Sequence, residues 1–344
     1  MRHGDQIRKN LVLRDRLVRA VRKFFQEEGF IETATPTLVP CPGMEPHLVG
    51  FKTVWTGPDG AWRRPFYLPT SPEFHLKKML ALGYERIFEI ARTFRDNEYS
   101  AHHQPEFTML EWYRAYAGYE RIMEDVERLV AFAAKEVLGQ TTLPYRAHQV
   151  RLDPPWKRIS VRELFVESFG IDLAEVVKPG DLARLAQARG YSYIRSDESF
   201  DDVFFKLFLT EVELKLGWDQ PVILYDYPIE MAALARRKSS APRFAERFEV
   251  YLCGVELANA FGELTNAGEQ ARRFQQFAEE ARKTRGFAYE PDEEFLDALR
   301  FGIPPSAGIA LGLDRLAMLL ANETALDAVL AFPHVTLVEE ELGD

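Results

Sequence analysis

The stretch 86–119 carries side chains suited to binding an anion and a planar base. Apolar and polar residues alternate over 86–95 and again over 106–116, which predicts two strands joined by a long polar loop. Arg95 stands at the end of the first strand, where its guanidinium could hold phosphate oxygens bidentately. An ordinary amphipathic hairpin with solvated loop charges explains the same pattern. Both interpretations stay open for this stretch alone.

The return strand of this hairpin places a carboxylate beside a phenol. Side chains alternate with period two along a strand, so Phe107, Met109, Glu111 and Tyr113 share one face. Glu111 and Tyr113 are therefore expected next to each other in one cleft.

A further carboxylate stands where a helix begins. The segment TSPEFHLKKML predicts a helix with Ser71 as N-cap and Pro72 at the first helical position. Glu73 follows in the first turn, where the helix dipole favours a negative charge. That preference explains Glu73 without a ligand, but a helix beginning at a cleft would also present it to a cation.

The segment RFEVYLCGVELANAFGELT predicts two strands about a turn at Cys253-Gly254. Glu249 and Glu256 are expected roughly opposite each other across that turn. Two facing carboxylates are costly in a sheet unless they share a cation, and Mg²⁺ accepts such ligands together with substrate phosphates. Two solvent-facing acidic residues on an edge hairpin are the alternative.

Asn259, Phe261 and Glu263 share one face of the second of these strands. Glu256 has the opposite parity to Glu263. Both carboxylates can therefore face one site only if the strand bulges or twists between them.

The segment GIALG, ending at Gly312, predicts a strand that runs directly into a helix with Arg315 in its first turn. Small residues let a nucleotide approach the backbone, and Arg315 could reach its phosphates. Taken alone, this strand-to-helix turn is only a weak indication of nucleotide binding. Close packing of the strand and the helix explains the small residues more simply.

Other segments form the scaffold around these residues. Helices are predicted over 7–28 and 119–138, a buried strand at PVILYDYP, and several short helices without a catalytic constellation over 156–216. Pro36 interrupts the extended segment FIETATPTLVP, which places it at an edge or an interface. A dimer element and a helix packed on its own domain remain alternatives for the N-terminal segment.

Composition narrows the class of protein. The 344 residues are 47% hydrophobic and 28% charged, as in folded domains, and the net charge of −10 argues against a broad grip on nucleic acid. Two cysteines fit no disulfide framework or zinc spacing. No secretory signal or membrane span is evident. We expect a soluble, cytoplasmic protein.

Taken in order, these segments resemble the class II aminoacyl-tRNA synthetases. GFIETATP resembles their motif 1, FRDNEYSAHHQPEFTMLEWY motif 2 and GIALGLDRLAMLLAN motif 3. TSPEFHLKKML, PEFTMLEWYRAYAGY and GVELANAFGELT are similar to the lysyl-tRNA synthetase catalytic domain. The resemblance runs from about residue 14 to 331 and is weak over 145–215.

The resemblance implies an α+β fold, an antiparallel β-sheet flanked by helices, forming one catalytic domain over 1–344. Motif 1 would span about 14–40, motif 2 about 86–119, a helical insertion about 145–216 and motif 3 about 302–322. Residues 29–40 would pair two chains as a homodimer.

The resemblance also implies ATP and Mg²⁺ and a lysine-like substrate. Arg95 and Arg315 would be catalytic, holding the α- and γ-phosphates. The implied ATP-binding residues are Arg95, Asp96, Asn97, His103, Gln104, Phe107, Glu256, Leu257, Gly312 and Arg315. The implied substrate-binding residues are Ser71, Pro72, Glu73, Glu111, Tyr113, Asn259, Phe261, Glu263 and Ala310, and the implied metal ligands are Glu249 and Glu256.

Two departures resemble the elongation factor P–(R)-β-lysine ligases, which are truncated paralogues of lysyl-tRNA synthetase. From the sequence as it stands we expect no anticodon-binding domain before residue 14, and Ala310 stands where those synthetases usually have glycine. The expected reaction activates (R)-β-lysine with ATP and transfers it to a lysine ε-amine of elongation factor P, without stable tRNA binding or a membrane. The alternatives are activation of α-lysine for another acceptor and a non-catalytic lysine-binding paralogue.

A third departure lies in motif 2. The family usually has glutamate two places after the motif arginine, where this chain has Asn97, and Glu98 follows one place later. Either Asn97 takes over the nucleotide contact, or the loop shifts to present Glu98.

Overall fold

The computed structural model describes residues 4–334. Its strands are β1 (Ile31–Glu32), β2 (Lys52–Thr56), β3 (Arg63–Tyr67), β4 (Arg86–Phe94), β5 (Glu106–Ala115), β6 (Thr142–Tyr145), β7 (His148–Arg151), β8 (Lys157–Ser160), β9 (Val222–Pro228), β10 (Phe244–Leu252), β11 (Val255–Gly262) and β12 (Ser306–Gly312). Its α-helices are α1 (Gly4–Glu27), α2 (Glu73–Ala81), α3 (Tyr119–Leu138), α4 (Val161–Phe169), α5 (Asp181–Ala188), α6 (Phe200–Glu211), α7 (Ala267–Arg285), α8 (Glu293–Phe301) and α9 (Leu313–Leu320).

Eight of these strands form one sheet in the order β1-β4-β5-β12-β11-β10-β9-β8. The six central strands pair antiparallel, whereas β1 on β4 and β8 on β9 are parallel. The predicted α+β fold with a mainly antiparallel sheet is confirmed.

Helices cover both faces of this sheet because its central strands are buried on both sides. Phe88 and Trp112 belong to a core shared with α1, α3 and α9. Ile87 and Tyr113, one residue away in each strand, belong to a second core shared with α2, α7 and α8. Alternation along the strand therefore directs Glu111 and Tyr113 towards the α2 side, as period two requires.

The N-terminal helix ends at Glu27, one residue before the predicted end. The extended segment after it forms only a two-residue strand, β1, at the edge of the sheet. Pro36 lies beyond that strand, as expected for a residue that cannot donate to a ladder.

The insertion expected over about 145–216 contains the predicted short helices and also strands. Strand β7 pairs with β6 in a hairpin, and the edge strand β8 extends the main sheet beside β9. Helices α4, α5 and α6 form a separate core against β9 and β10. Strands of four residues carry too short a hydrophobic pattern to be recognised from the sequence. Within residues 4–334 no helix is long and apolar enough to cross a membrane.

Candidate active site

A cavity of about 430 Å³ opens on the α2 side of the central strands. Four strands of the sheet, the start of α2 and the segment 41–48 supply its walls. Most of the predicted site residues line it: Ser71, Glu73, Arg95, His103, Gln104, Phe107, Glu111, Tyr113, Glu256, Leu257, Asn259, Phe261, Ala310, Gly312 and Arg315. Carboxyl groups gather at one end, called here the carboxylate end (Glu73, Glu111 and Glu263), although Glu263 is buried and is not itself among the residues that line the cavity. Arginines gather at the other end, the arginine end (Arg95 and Arg315).

Ser71 joins α2 to the return strand of the motif 2 hairpin. Its hydroxyl lies 2.9 Å from Glu111 Oε1, and it accepts a hydrogen bond from the backbone N–H of Glu73. The helix starts at Glu73 with Pro72 at the N-cap position, one residue later than predicted. Helix ends shift easily by one residue, and the hydroxyl still caps the backbone. Pro72 is buried behind this turn and does not line the cavity.

Lys77 organises the carboxylate end, and the sequence analysis did not single it out. Its Nζ lies 2.5 Å from Glu73 Oε1 and 2.5 Å from Glu263 Oε2. Burial by itself would lower the pKa of Lys77. The negative charges of Glu263 and Glu73 have the larger combined effect, so the pKa of Lys77 is raised. The spacing of four residues from Glu73 puts both on one helix face, a signal that could have found it.

The carboxylate end therefore holds three carboxyl groups and one ammonium. Burial and the neighbouring Glu73 raise the pKa of Glu111. Burial also raises the pKa of Glu263, although Lys77 lowers it. An excess of buried negative charge is costly, and a ligand with two ammonium groups would relieve it.

The floor of this end is built from residues opposite one another across β5, β12 and β11. Ala310 pairs with Glu111 on one side and with Asn259 on the other. Gly308 pairs with Tyr113, and a Cβ at position 308 would lie 2.2 Å from the tyrosine ring. Glycine at position 308 thus leaves room for the ring of Tyr113.

A bulge brings Glu256 to the same face as Asn259 and Phe261. Val250 pairs with Ala258, but the next residue, Tyr251, pairs with Glu256, so Leu257 is the extra residue. This is the bulge that the parity argument required. Glu249 pairs with Asn259, so it lies diagonal to Glu256 instead of opposite. The turn at Cys253-Gly254 is where the sequence predicted it. The bulge at Leu257 shifts the pairing of the two strands by one residue.

Glu249 and Glu256 differ in how their oxygens are engaged. Glu249 accepts hydrogen bonds from Tyr227 and Tyr251, both at 2.5 Å, and from Arg247 at 2.6 Å. Glu256 lines the cavity, and burial and Glu249 raise its pKa. Among residues 4–334 no group of three or more potential ligands could hold a metal ion alone. Mg²⁺ fits this place if substrate phosphates complete its shell, with Glu256 as the accessible carboxylate.

Arg95 lies at the arginine end with its guanidinium over the ring of Phe107, 5.2 Å from the centroid. Its Nη1 is 3.6 Å from Glu98, while its buried Nε has no hydrogen-bond partner in the described part of the chain. Glu98 lines the cavity, whereas Asn97 is exposed with a positive φ of 67°. Asp96 is exposed as well, so neither Asp96 nor Asn97 is brought to the cavity wall.

Arg315 is held by three acceptors around the cavity. It donates to the backbone carbonyls of His102 and Glu256 at 3.2 and 2.7 Å and contacts His103 Nε2 at 2.8 Å. Arginine only donates, so Nε2 must accept and the proton of His103 lies on Nδ1, beside Ser100 Oγ at 2.8 Å. Burial and Arg315 lower the pKa of His103, which favours this neutral form.

Several cavity residues come from segments that gave no local signal. His47 and Glu45 come from the segment between β1 and β2, and Asp201 and Phe205 come from α6. Burial raises the pKa of Asp201 to about 6. Only the packing of α4–α6 against the end of the sheet brings Asp201 to the cavity mouth, so no spacing in the sequence predicts it.

Comparison with known proteins gives consistent matches along the chain. The profile of the tRNA synthetases class II (D, K and N) matches residues 2–336. The lysine–tRNA ligase of Halalkalibacterium halodurans is 35% identical over 343 residues, covering 96% of this chain and 65% of that protein. The lysine–tRNA ligases of Moorella thermoacetica and Bacillus subtilis are each 36% identical, covering 98% and 94% of this chain and 67% and 63% of those proteins. The chain thus spans about two thirds of the length of these relatives.

Proposed function

Because this chain belongs to the class II tRNA synthetases of the D, K and N type, we propose that it is an ATP-dependent ligase for a diamino carboxylic acid. The observation that carries this proposal is the carboxylate end of the cavity. Three carboxyl groups surround the single ammonium of Lys77, which can neutralise only one of them when they are ionised. A substrate with two ammonium groups matches the remaining negative charge.

The first step activates the amino acid. Its carboxylate attacks the α-phosphorus of ATP in line, an oxygen–phosphorus bond forms, and pyrophosphate leaves. In this proposal Arg95 holds the α-phosphate and Arg315 holds the γ-phosphate. Bound Mg²⁺ would neutralise phosphate charge, with Glu256 as ligand and Glu249 supporting it. The protein contributes mainly positioning and charge neutralisation.

In the second step an amine of the acceptor attacks the carbonyl carbon of the adenylate and AMP leaves. For this chain we propose (R)-β-lysine as the amino acid and the ε-amine of a lysine on elongation factor P as the acceptor. The support is Ala310, whose methyl group stands on the cavity floor between Glu111 and Asn259. An added methyl there crowds an α-amino group and leaves space for an amino group displaced to the β position.

A second candidate is activation of α-lysine for another acceptor. Three relatives of 35–36% identity are lysine–tRNA ligases, which favours it. The same cavity charges suit either isomer, so the choice depends on Ala310 and on the acceptor.

The test is incubation of the protein with ATP and purified elongation factor P, together with (R)-β-lysine or α-lysine. Intact mass of the factor and release of pyrophosphate are measured. We expect the factor to gain the mass of one β-lysyl group, with less product from α-lysine. Pyrophosphate release with α-lysine alone, and no modified factor, would favour the second candidate. No pyrophosphate release with either isomer would contradict both.

A further inference from the structure

The segment 41–50 covers the cavity and is anchored along its length. Thr70 Oγ1 donates to the carbonyl of Pro42 at 2.7 Å, and Arg285 donates to the carbonyl of Leu48 at 2.7 Å. At the end of the segment, Gly50 N–H donates to the hydroxyl of Tyr289 at 2.9 Å. The segment therefore holds its side chains in a defined position over the cavity.

Glu45 is the carboxylate that this segment presents to the cavity. Its side chain is half-buried, lines the cavity and forms no ion pair with any residue in 4–334. A Cβ at Gly43 would lie 3.4 Å from Glu45 Oε2 and 2.6 Å from Thr70 Oγ1. A side chain at position 43 would therefore clash with Thr70, whereas the Glu45 carboxylate lies at van der Waals distance from that position.

Glu45 lies beside the start of α2. Thr70, which shares the space next to Gly43 with Glu45, directly precedes Ser71 and its hydrogen bond to Glu111. Burial and Glu73 raise the pKa of Glu45, whereas Lys77 and Arg95 lower it, as expected for a carboxyl group near the carboxylate end. Glu263, 2.5 Å from Lys77 Nζ, is not among the residues that line the cavity.

We propose that Glu45 is a specificity-determining residue that binds the substrate amino group nearer to the reacting carboxylate. This inference rests on the proposed function. The reacting carboxylate must lie at the arginine end, beside the α-phosphate. An amino group on the α or β carbon then lies within a few bonds of it, between Glu73 and Glu45, while the distal ammonium extends towards Glu263 and Tyr113.

The role of Glu45 is to select for that amino group by charge. The Glu45 carboxylate repels the reacting carboxylate of the substrate unless an ammonium group lies between the two. Substrates lacking the near amino group gain nothing from Glu45. Substrates carrying it gain a charge-assisted hydrogen bond, which is worth roughly 10- to 100-fold in affinity.

The experiment compares wild type with Glu45→Gln on ligands that differ in one amino group. Lysine and β-lysine carry both amino groups, and 6-aminohexanoate keeps only the distal one. The measurements are kcat/KM in ATP–pyrophosphate exchange for the first two and the inhibition constant of 6-aminohexanoate. Glu280→Gln is the matched control, because Glu280 is an acidic residue at the cavity mouth outside the proposed contacts.

We expect Glu45→Gln to lower kcat/KM for the preferred isomer by at least about tenfold, mainly through KM. The inhibition constant of 6-aminohexanoate should stay the same or fall, because the repulsion between Glu45 and its carboxylate is removed. Glu280→Gln should leave both values near wild type. Equal losses for lysine and 6-aminohexanoate would overturn the proposal, as would no loss for either. Wild-type exchange with neither isomer would sink the proposed function and this inference with it, so the two failures are distinguishable.

Discussion

At the scale of single residues, the cavity keeps unlike charges at its two ends. Lys77 joins Glu73 to Glu263 at the carboxylate end. Arg95 keeps its buried Nε without a partner in the described chain, and Arg315 is fixed by backbone carbonyls and His103. The guanidinium groups are thus held ready for a polyanion, which avoids reorganisation when phosphate binds.

We expect Arg95→Ala or Arg315→Ala to reduce ATP–pyrophosphate exchange by roughly 10²- to 10³-fold, because each removes about 2–4 kcal/mol of transition-state stabilisation. Arg92→Ala is the control, because the side chain of Arg92 is 52% exposed and lies on β4, the first strand of the same hairpin. Thermal unfolding should show that all three variants fold. Near-wild-type exchange in both cavity variants would place the nucleotide elsewhere.

Ala310→Gly should raise kcat/KM for α-lysine relative to β-lysine. One methyl-sized change in a pocket changes discrimination by about 10- to 200-fold. The ratio of the two kcat/KM values is the measurement, and Ala307→Gly on the core-facing side of β12 is the control. An unchanged ratio in Ala310→Gly would mean that residue 310 does not contact the amino acid.

At the scale of elements, one buried network joins the N-terminal helix to the two segments that are proposed to bind the nucleotide. Arg14 of α1 donates to Asp314 at 2.8 and 2.9 Å and to Thr108 Oγ1 at 2.7 Å. Asp314 also accepts from the backbone N–H of Thr108 at 2.7 Å. Thr108 and Asp314 are the neighbours of Phe107 and Arg315, so α1 fixes the relative position of two proposed ATP contacts.

Arg14→Ala should therefore lower the free energy of unfolding by about 3 kcal/mol, because it leaves the carboxylate of Asp314 buried without its cation. It should also raise KM for ATP, and Arg14→Lys should restore part of both losses. Chemical denaturation and exchange kinetics are the measurements. Arg19→Ala, at an exposed pair on the same helix, should change stability by less than about 0.5 kcal/mol. A stable Arg14→Ala with unchanged KM would contradict the coupling.

At the scale of the whole molecule, apolar side chains remain exposed where motif 1 was predicted to pair two chains. Ile31 is 52% exposed, Leu38 42% and Val12 56%. They lie on the edge strand β1, in the segment after it and on α1. An exposed apolar edge of this kind is typical of an interface.

We expect sedimentation at micromolar concentration to give twice the 39.6 kDa mass of one chain. Ile31→Asp should shift the mass towards one chain, because it would bury a charge in the proposed interface. Leu214→Asp is the control, because Leu214 is 69% exposed and belongs to the region that supplies β8, the strand at the opposite edge of the sheet. A single-chain mass for the wild type would rule out the homodimer at this concentration.

The sequence by itself determined the elements whose signals are local. The hairpin of β4 and β5, the helix α3 and the step from β12 into α9 follow from periodicity and small residues within a few positions. The common face of Glu111 and Tyr113 follows from the same alternation, and the family follows from the order of these segments.

Only the tertiary structure decided which distant side chains meet. Lys77 and Glu263 are far apart in the chain but 2.5 Å apart in space, and the bulge at Leu257 sets the register that turns Glu256 into the cavity. Glu45 and Asp201 reach the same cavity from segments without a chemical pattern. Local propensity records what one segment prefers, whereas these contacts depend on how the sheet and both helical layers close around one volume.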